Sequence, residues 1–137
     1  MLDKVVGVFG ALFLILLMTF TSALFIGMIG QWYAIQNEAQ FLAVSQGKYG
    51  GFTTQANAEL QRFVSDRKLD RQRLDVQVSA AGGPVAWGQP VTAQITYQYP
   101  FKLGKLISFN VPISGKGWSV STYLEGAYSA TYTSPRW

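Results

Sequence analysis

From Val5 to Gly30 (VVGVFGALFLILLMTFTSALFIGMIG) the chain shows no polar face at all: about 26 consecutive residues are apolar or hydroxyl-bearing, and none is charged. As a helix this run is ~39 Å long at ~1.5 Å per residue, longer than the ~30 Å hydrocarbon core of a bilayer, so it can span with some tilt. Trp32 and Tyr33 follow at once, and rings with one polar edge suit the headgroup level. A cleaved secretory signal, the competing reading, has a much shorter apolar region of ~7–15 residues with a small-x-small site soon after. The length of this run, preceded by Met1-Leu2-Asp3 and Lys4, favours a retained anchor. Lys4 and the terminal amine favour an inside N-terminus, with the Tyr/Thr/Ser-rich remainder outside.

The pattern then changes without a break. Gln31 to Gln46 has no Pro or Gly, and Ile35, Ala39, Leu42 and Ala43 recur at helical spacing, which predicts one rod from about Asp3 to Gln46. Its second half is amphipathic, so one stripe must be covered. Gly47, Gly50 and Gly51 are expected to break the rod. Thr53 or Thr54 can cap a second helix to about Lys68, with Ala56, Leu60, Phe63 and Val64 on its apolar face. Beyond Leu69 the period becomes two. Leu74, Val76 and Val78 alternate with polar residues, and so do Val91, Ala93, Ile95, Tyr97 and Tyr99. Gly82-Gly83-Pro84 and Gly88-Gln89-Pro90 read as turns. Pro100 is expected to end the second strand, Leu106–Ile113 to form a third, and the stretch near Trp118–Leu124 a fourth, with Pro112 at an edge or a strand end. The expected fold class is α+β: a long hydrophobic N-terminal helix (1–46), a Gly-rich break with a second amphipathic helix (47–73), and a small antiparallel β domain (74–137). The tail from Ala127 to Trp137 is expected either to be mobile or to add an edge strand.

Small residues stud the apolar run at Gly7, Gly10, Ala11, Ser22, Ala23, Gly27 and Gly30, with small-xxx-small spacing in Gly7–Ala11 and Ala23–Gly27. Such positions let neighbouring helices approach closely, and Thr19, Thr21 and Ser22 can bond to their own helix or to another. Gly, Ser and Thr are also common in isolated spans, so composition alone leaves both readings open.

Charge and composition narrow the chemistry. The formal charge is +4; Asp3 and Lys4 cancel, so the excess lies beyond the apolar run. Arg62, Arg67, Lys68, Arg71 and Arg73 interleave with Asp66, Asp70 and Asp75, as in a solvated helix end rather than a phosphate-binding surface. With no Cys and no His, disulfides, thiolate metal sites and the commonest general base are excluded. Asp66 and Asp70 are four apart and could share a helical face, but they sit among arginines, which reads as surface ion pairing, and no carboxyl is marked for an apolar pocket. Neither catalysis nor a cofactor is expected. Gly115-Lys116-Gly117 lacks a phosphate-loop pattern and reads as a turn. The aromatics Tyr97, Tyr99, Phe101, Trp118, Tyr123, Tyr128 and Tyr132, interleaved with Lys102, Lys105 and Lys116, allow a stacking surface for sugars or single-stranded nucleic acid. Ordinary β propensity and packing explain them more simply, so nucleic acid is allowed as a partner but not indicated. The candidate surface residues are Tyr97, Tyr99, Lys102, Lys105 and Trp118.

The order of parts resembles the type IV pilin superfamily, and looks closest to Tad-type, TadE-like minor pseudopilins. The segments that carry the likeness are NEAQFLAVSQGKYGGFT (Asn37–Thr53), ELQRFVSDRKLD, LDVQVS and VAWGQPVTAQITYQYPF. The resemblance implies a structural subunit, held in the bacterial membrane until an assembly machine with a cytoplasmic ATPase extracts it. Copies of the apolar helix then bundle into a filament core, with the β domains outside. The implied packing positions are Asp3, Gly7, Gly10, Ala11, Thr19, Ser22, Ala23, Gly27 and Gly30. Many such pilins carry a Glu at the fifth position of the mature helix; Val5 stands here, and Asp3 is the candidate to neutralise a neighbour's terminal amine. The alternative is a monomeric membrane-anchored module of a secretion or conjugation apparatus.

Overall fold

A computed structural model describes residues 1–127 and 129–137; Tyr128, one of the aromatics above, lies outside the described residues. Leucine, phenylalanine, alanine and glutamine without an interior proline carry a single helix, α1 (Leu2–Tyr49), through both the uniformly apolar run and its amphipathic extension. It is ~72 Å long. The expected break at Gly47 does not occur. Gly47 stays helical while its carbonyl accepts the Thr122 amide at 2.8 Å. The helix stops one turn later at Gly50, whose φ of 76° supplies the left-handed cap. The Gly50–Phe52 reversal leads into α2 (Thr54–Asp66), capped by Thr53, whose hydroxyl accepts the Ala56 amide at 3.1 Å. Lys68, at φ 53°, ends that segment.

Three strands follow as an antiparallel meander in the order β1-β2-β3: β1 (Leu74–Val78), β2 (Pro90–Leu103) and β3 (Ile107–Val120). Three expectations about β2 and β3 are corrected. Pro100 does not end β2, which runs on to Leu103 opposite Ile107. The reason lies in the register. β1 pairs with β2 only as far as Leu74 opposite Tyr97, so Pro100 has no neighbour on that side to need its missing N–H. Gly115-Lys116-Gly117 is not a turn but the middle of β3, and the expected third and fourth strands are one. Glycine is used there because α1 lies directly on the strand. A Cβ on Gly115 would sit 2.7 Å from the Gln36 Cα and the Ile35 carbonyl oxygen, and one on Gly117 would overlap the Ala39 carbonyl.

The second half of α1 and the apolar face of α2 cover one face of the sheet. Ile35, Ala39, Leu42 and Ala43 of α1 meet Ala56, Leu60 and Val64 of α2 and Leu74, Val76, Ala93, Ile95, Tyr97 and Ile113 of the strands. Fully burying a side chain of this kind is worth ~1.5–3 kcal/mol, which makes this cluster the main source of stability. The tail is tied down rather than loose. Thr54 N donates to Thr131 O at 2.9 Å and Thr133 N to Phe52 O at 3.0 Å, and Thr53 and Tyr132 form a single bridge, which falls short of an edge strand. The result is an α+β lollipop: a rod whose far half carries a small sheet.

Candidate functional surfaces: the bare helix and the hairpin beside it

The first thirty residues of α1 are left almost uncovered. The helix is long and apolar enough to cross a membrane, and none of its most apolar 18-residue window is buried. Val6, Phe9, Phe13, Leu14, Ile15, Met18 and Phe20 are exposed. An apolar surface this large is not stable in water and marks contact with lipid or protein. Thr19, Thr21 and Ser22 return their hydroxyls to the carbonyls of Ile15, Leu17 and Met18, each at 2.8 Å. Their hydrogen-bonding need is thus met within the helix, as lipid or a dry helix bundle demands.

Of the expected packing positions, Gly7, Gly10 and Gly30 face open space, and Asp3, Ala11, Thr19, Ser22 and Ala23 are exposed. Asp3 also lies in the first turn, where a carboxylate favours the positive end of the helix dipole. Gly27 is different: a Cβ there would lie 3.2 Å from the Tyr99 hydroxyl, so this glycine serves contact with the chain's own β2.

The five expected surface residues do not form one surface. Tyr97 is 5% exposed, and its hydroxyl accepts the Asp70 amide at 3.3 Å, so it belongs to the core. The alternation itself carries the signal, since Tyr97 shares a face with Ile95 and Ala93. Tyr99 is half-buried beside Gly27. Trp118 is exposed opposite Thr92, whereas Lys102 pairs with Ser108 ten positions along the same ladder, ~34 Å away.

What fixes the rod to the sheet is a ladder of side chains along β3. Trp32 Nε1 donates to the Ser114 carbonyl at 3.1 Å. The Gln36 amide donates to Lys116 O at 2.7 Å and accepts from Lys116 N at 3.0 Å. Gln40 does the same with Trp118, at 3.1 and 3.3 Å. The match is geometric: four residues of helix rise ~6 Å and two residues of strand ~6.8 Å, so positions 32, 36 and 40 meet positions 114, 116 and 118 in step. This satisfies an edge that is otherwise open to pairing with other chains. Trp32 therefore has a partner within the protein, besides any role at a headgroup level. Deeper in, Gln46 is fully buried, donating to Thr92 O and accepting from Ala80 N, both at 3.1 Å.

The β2–β3 hairpin points back toward the N-terminus and reaches the apolar run. Phe25 contacts Phe101 with ring centroids 5.6 Å apart, and Phe101 stacks on Phe109 at 5.0 Å. Beyond them, Lys102, Leu103, Gly104 and Leu106 face Phe13, Leu16, Leu17, Phe20 and Leu24 across a groove of ≈ 500 Å³.

Electrostatically the odd group is Glu38, which the sequence pattern does not single out. Burial, with the Glu59 carboxylate of α2 as the lesser cause, raises it to about 7, and its Oε1 is buried with no hydrogen-bond partner among the described residues. Its place between Ile35 and Leu42 on the apolar stripe is the available clue. The ion pairs among the described residues, Arg62–Glu59 at 3.2 Å and Arg73–Asp70 at 3.4 Å, are surface pairs within one turn and contribute little. No family model matches the chain, and neither a curated protein nor a solved structure matches it.

Proposed function

We propose that this chain is a structural subunit, a pilin or pseudopilin, of a type IV pilus-like filament. In this reading it waits in the bacterial cell membrane as a single-pass protein with its N-terminus inside. An assembly machine with a cytoplasmic ATPase then passes it into an extracellular polymer of copies of itself. One observation carries the reading: the first thirty residues of α1 are almost uncovered while the second half is clamped to the sheet by Gln36, Gln40 and close-approach glycines. The second half of the rod is thus held against the sheet, which suits a subunit whose rod packs into a core while its sheet faces outward. Gly7, Gly10 and Ala11 leave one stretch of the rod free of bulk for close helix packing.

The second reading, a membrane-resident accessory module that stays monomeric, is favoured by a different observation: the hairpin already faces Phe13–Leu24 across a groove, on a side that a neighbour's helix would use. Shearing cells that make the protein separates the two. Filaments in the sheared fraction, seen by negative stain and built mostly of this chain, support the polymer. A chain found wholly in the membrane fraction and monomeric in detergent supports the module and rules out the polymer.

A further inference from the structure

We infer that the tip of the β2–β3 hairpin, Lys102–Ile107, is a second membrane contact that seats in the anionic outer leaflet of the bilayer crossed by α1. The inference rests on the membrane residence of α1, but not on its polymerisation. Position is the first ground. A ~20-residue span that begins between Leu2 and Val5 closes between Thr21 and Leu24. The hairpin tip faces α1 from Phe13 to Leu24 across the groove, so a bilayer that surrounds the span also reaches the tip. The aromatic stack of Phe25, Phe101 and Phe109 fixes the hairpin against the rod just above that level.

Side-chain chemistry is the second ground. Leu106 is 96% exposed, and Ile107 and Phe109 are about half exposed, at the end of a strand pair whose other large apolar side chains, Trp118 apart, are largely covered. Lys102 and Lys105 alternate with Leu103 and Leu106. Between Asp75 and Glu125 the chain has no acidic residue, so nothing on this hairpin repels a phosphate. Leucines that enter the acyl boundary with lysines snorkelling to headgroup phosphates match an anionic leaflet in both polarity and charge. Seating the tip also fixes the depth and tilt of the rod, which a uniformly apolar helix longer than the bilayer cannot do for itself.

The chain has no cysteine, so single labels can be placed cleanly. Full-length Leu106→Cys, Ile15→Cys and Gly82→Cys proteins, each carrying an environment-sensitive fluorophore, are reconstituted into vesicles of phosphatidylcholine with or without phosphatidylglycerol. Quenching by doxyl-labelled lipid is compared with quenching by aqueous iodide. The expected result is lipid quenching at positions 15 and 106 and iodide quenching at 82. Replacing either Lys102 or Lys105 by glutamine is expected to reduce the phosphatidylglycerol-dependent part of the signal at 106 ~5-fold. Both lysines are exposed, and circular dichroism checks that the sheet persists. Iodide quenching at 106 with lipid quenching at 15 overturns the inference and leaves the anchor intact. Protection of 106 from both quenchers assigns the tip to a second copy and overturns it too. Iodide quenching at both 15 and 106 removes the anchor and the inference together.

Discussion

Replacing Gly117 by alanine adds one methyl group where α1 and β3 touch backbone to backbone. The added Cβ would overlap the Ala39 carbonyl and lie 2.7 Å from the Gln40 Cα. Neither neighbour is a side-chain end that can swing aside, so the helix must lift or β3 must bend. Overpacking of this kind costs ~1–3 kcal/mol. Lifting the helix also strains the Gln40 pairing with Trp118, a bond pair worth ~1 kcal/mol per bond. Against this stands the ~0.5–1 kcal/mol that alanine gains over glycine inside a regular element. The net expectation is a loss of ~2–3 kcal/mol, or a Tm lower by ~10 °C or more for a domain of this size. The assay is urea or thermal unfolding of the full chain in detergent micelles, followed by tryptophan fluorescence, with Gly82→Ala as the control. A methyl group added at Gly82 meets nothing within 4 Å, and its φ is not positive, so that variant should be neutral or slightly stabilised. If Gly117→Ala is as harmless as Gly82→Ala, the helix does not lie on β3 as described.

Three further outcomes are expected. Gln36→Ala removes the acceptor of the Lys116 amide, and Gln40→Ala that of the Trp118 amide. Hydrogen exchange at each amide should speed up in its own variant and not in the other, whereas unchanged exchange in both would remove the ladder. Gln46→Met keeps the volume but strands the Ala80 amide, so it should cost ~1–3 kcal/mol in the same unfolding assay; a neutral result would mean that Gln46 is not buried against that amide. Glu38 supplies the pH dependence. Its folded value of about 7 lies above the ordinary 4.5. Below pH ~4.5 both folded and unfolded states hold the proton and there is no penalty; as pH rises to about 7 the unfolded state releases it first, so stability falls, and above that the loss is complete. Glu38→Gln should therefore match the parent near pH ~4 and exceed its stability near pH ~8 by ~1–2 kcal/mol, a figure already reduced for the half-buried carboxyl's access to water. Equal stability of the two proteins at both pH values would show Glu38 to be solvated.

Much of this architecture is legible in the chain because it follows from local rules. The apolar run, the Ile35-Ala39-Leu42 stripe, the Thr53 cap and the alternation in β1 and β2 each depend on neighbours a few residues away. The expectations that fail involve partners far off in sequence. Gly115 and Gly117 look like turn residues until a helix some eighty residues earlier is laid on them, and an isolated strand glycine is itself a sign of such close approach. Pro100 looks like a strand end until β1 is seen to stop short of it. Residue type points Tyr97 to the surface, although its alternation partners already place it inside. Glu38 needs the docking of α2 to acquire Glu59 as a neighbour. Among the described residues nothing lies against Gly7 or Gly10, and Ala11 is exposed, so the partner these packing positions await is another molecule.

Helical reconstruction of sheared material by electron cryomicroscopy asks most directly whether that other molecule is a second copy. A filament core made of α1 predicts a central bundle of helices with Gly7, Gly10 and Ala11 at the helix crossings and the three-stranded sheets outside. Sheared material without this chain, or filaments whose core holds any element other than α1, would contradict it.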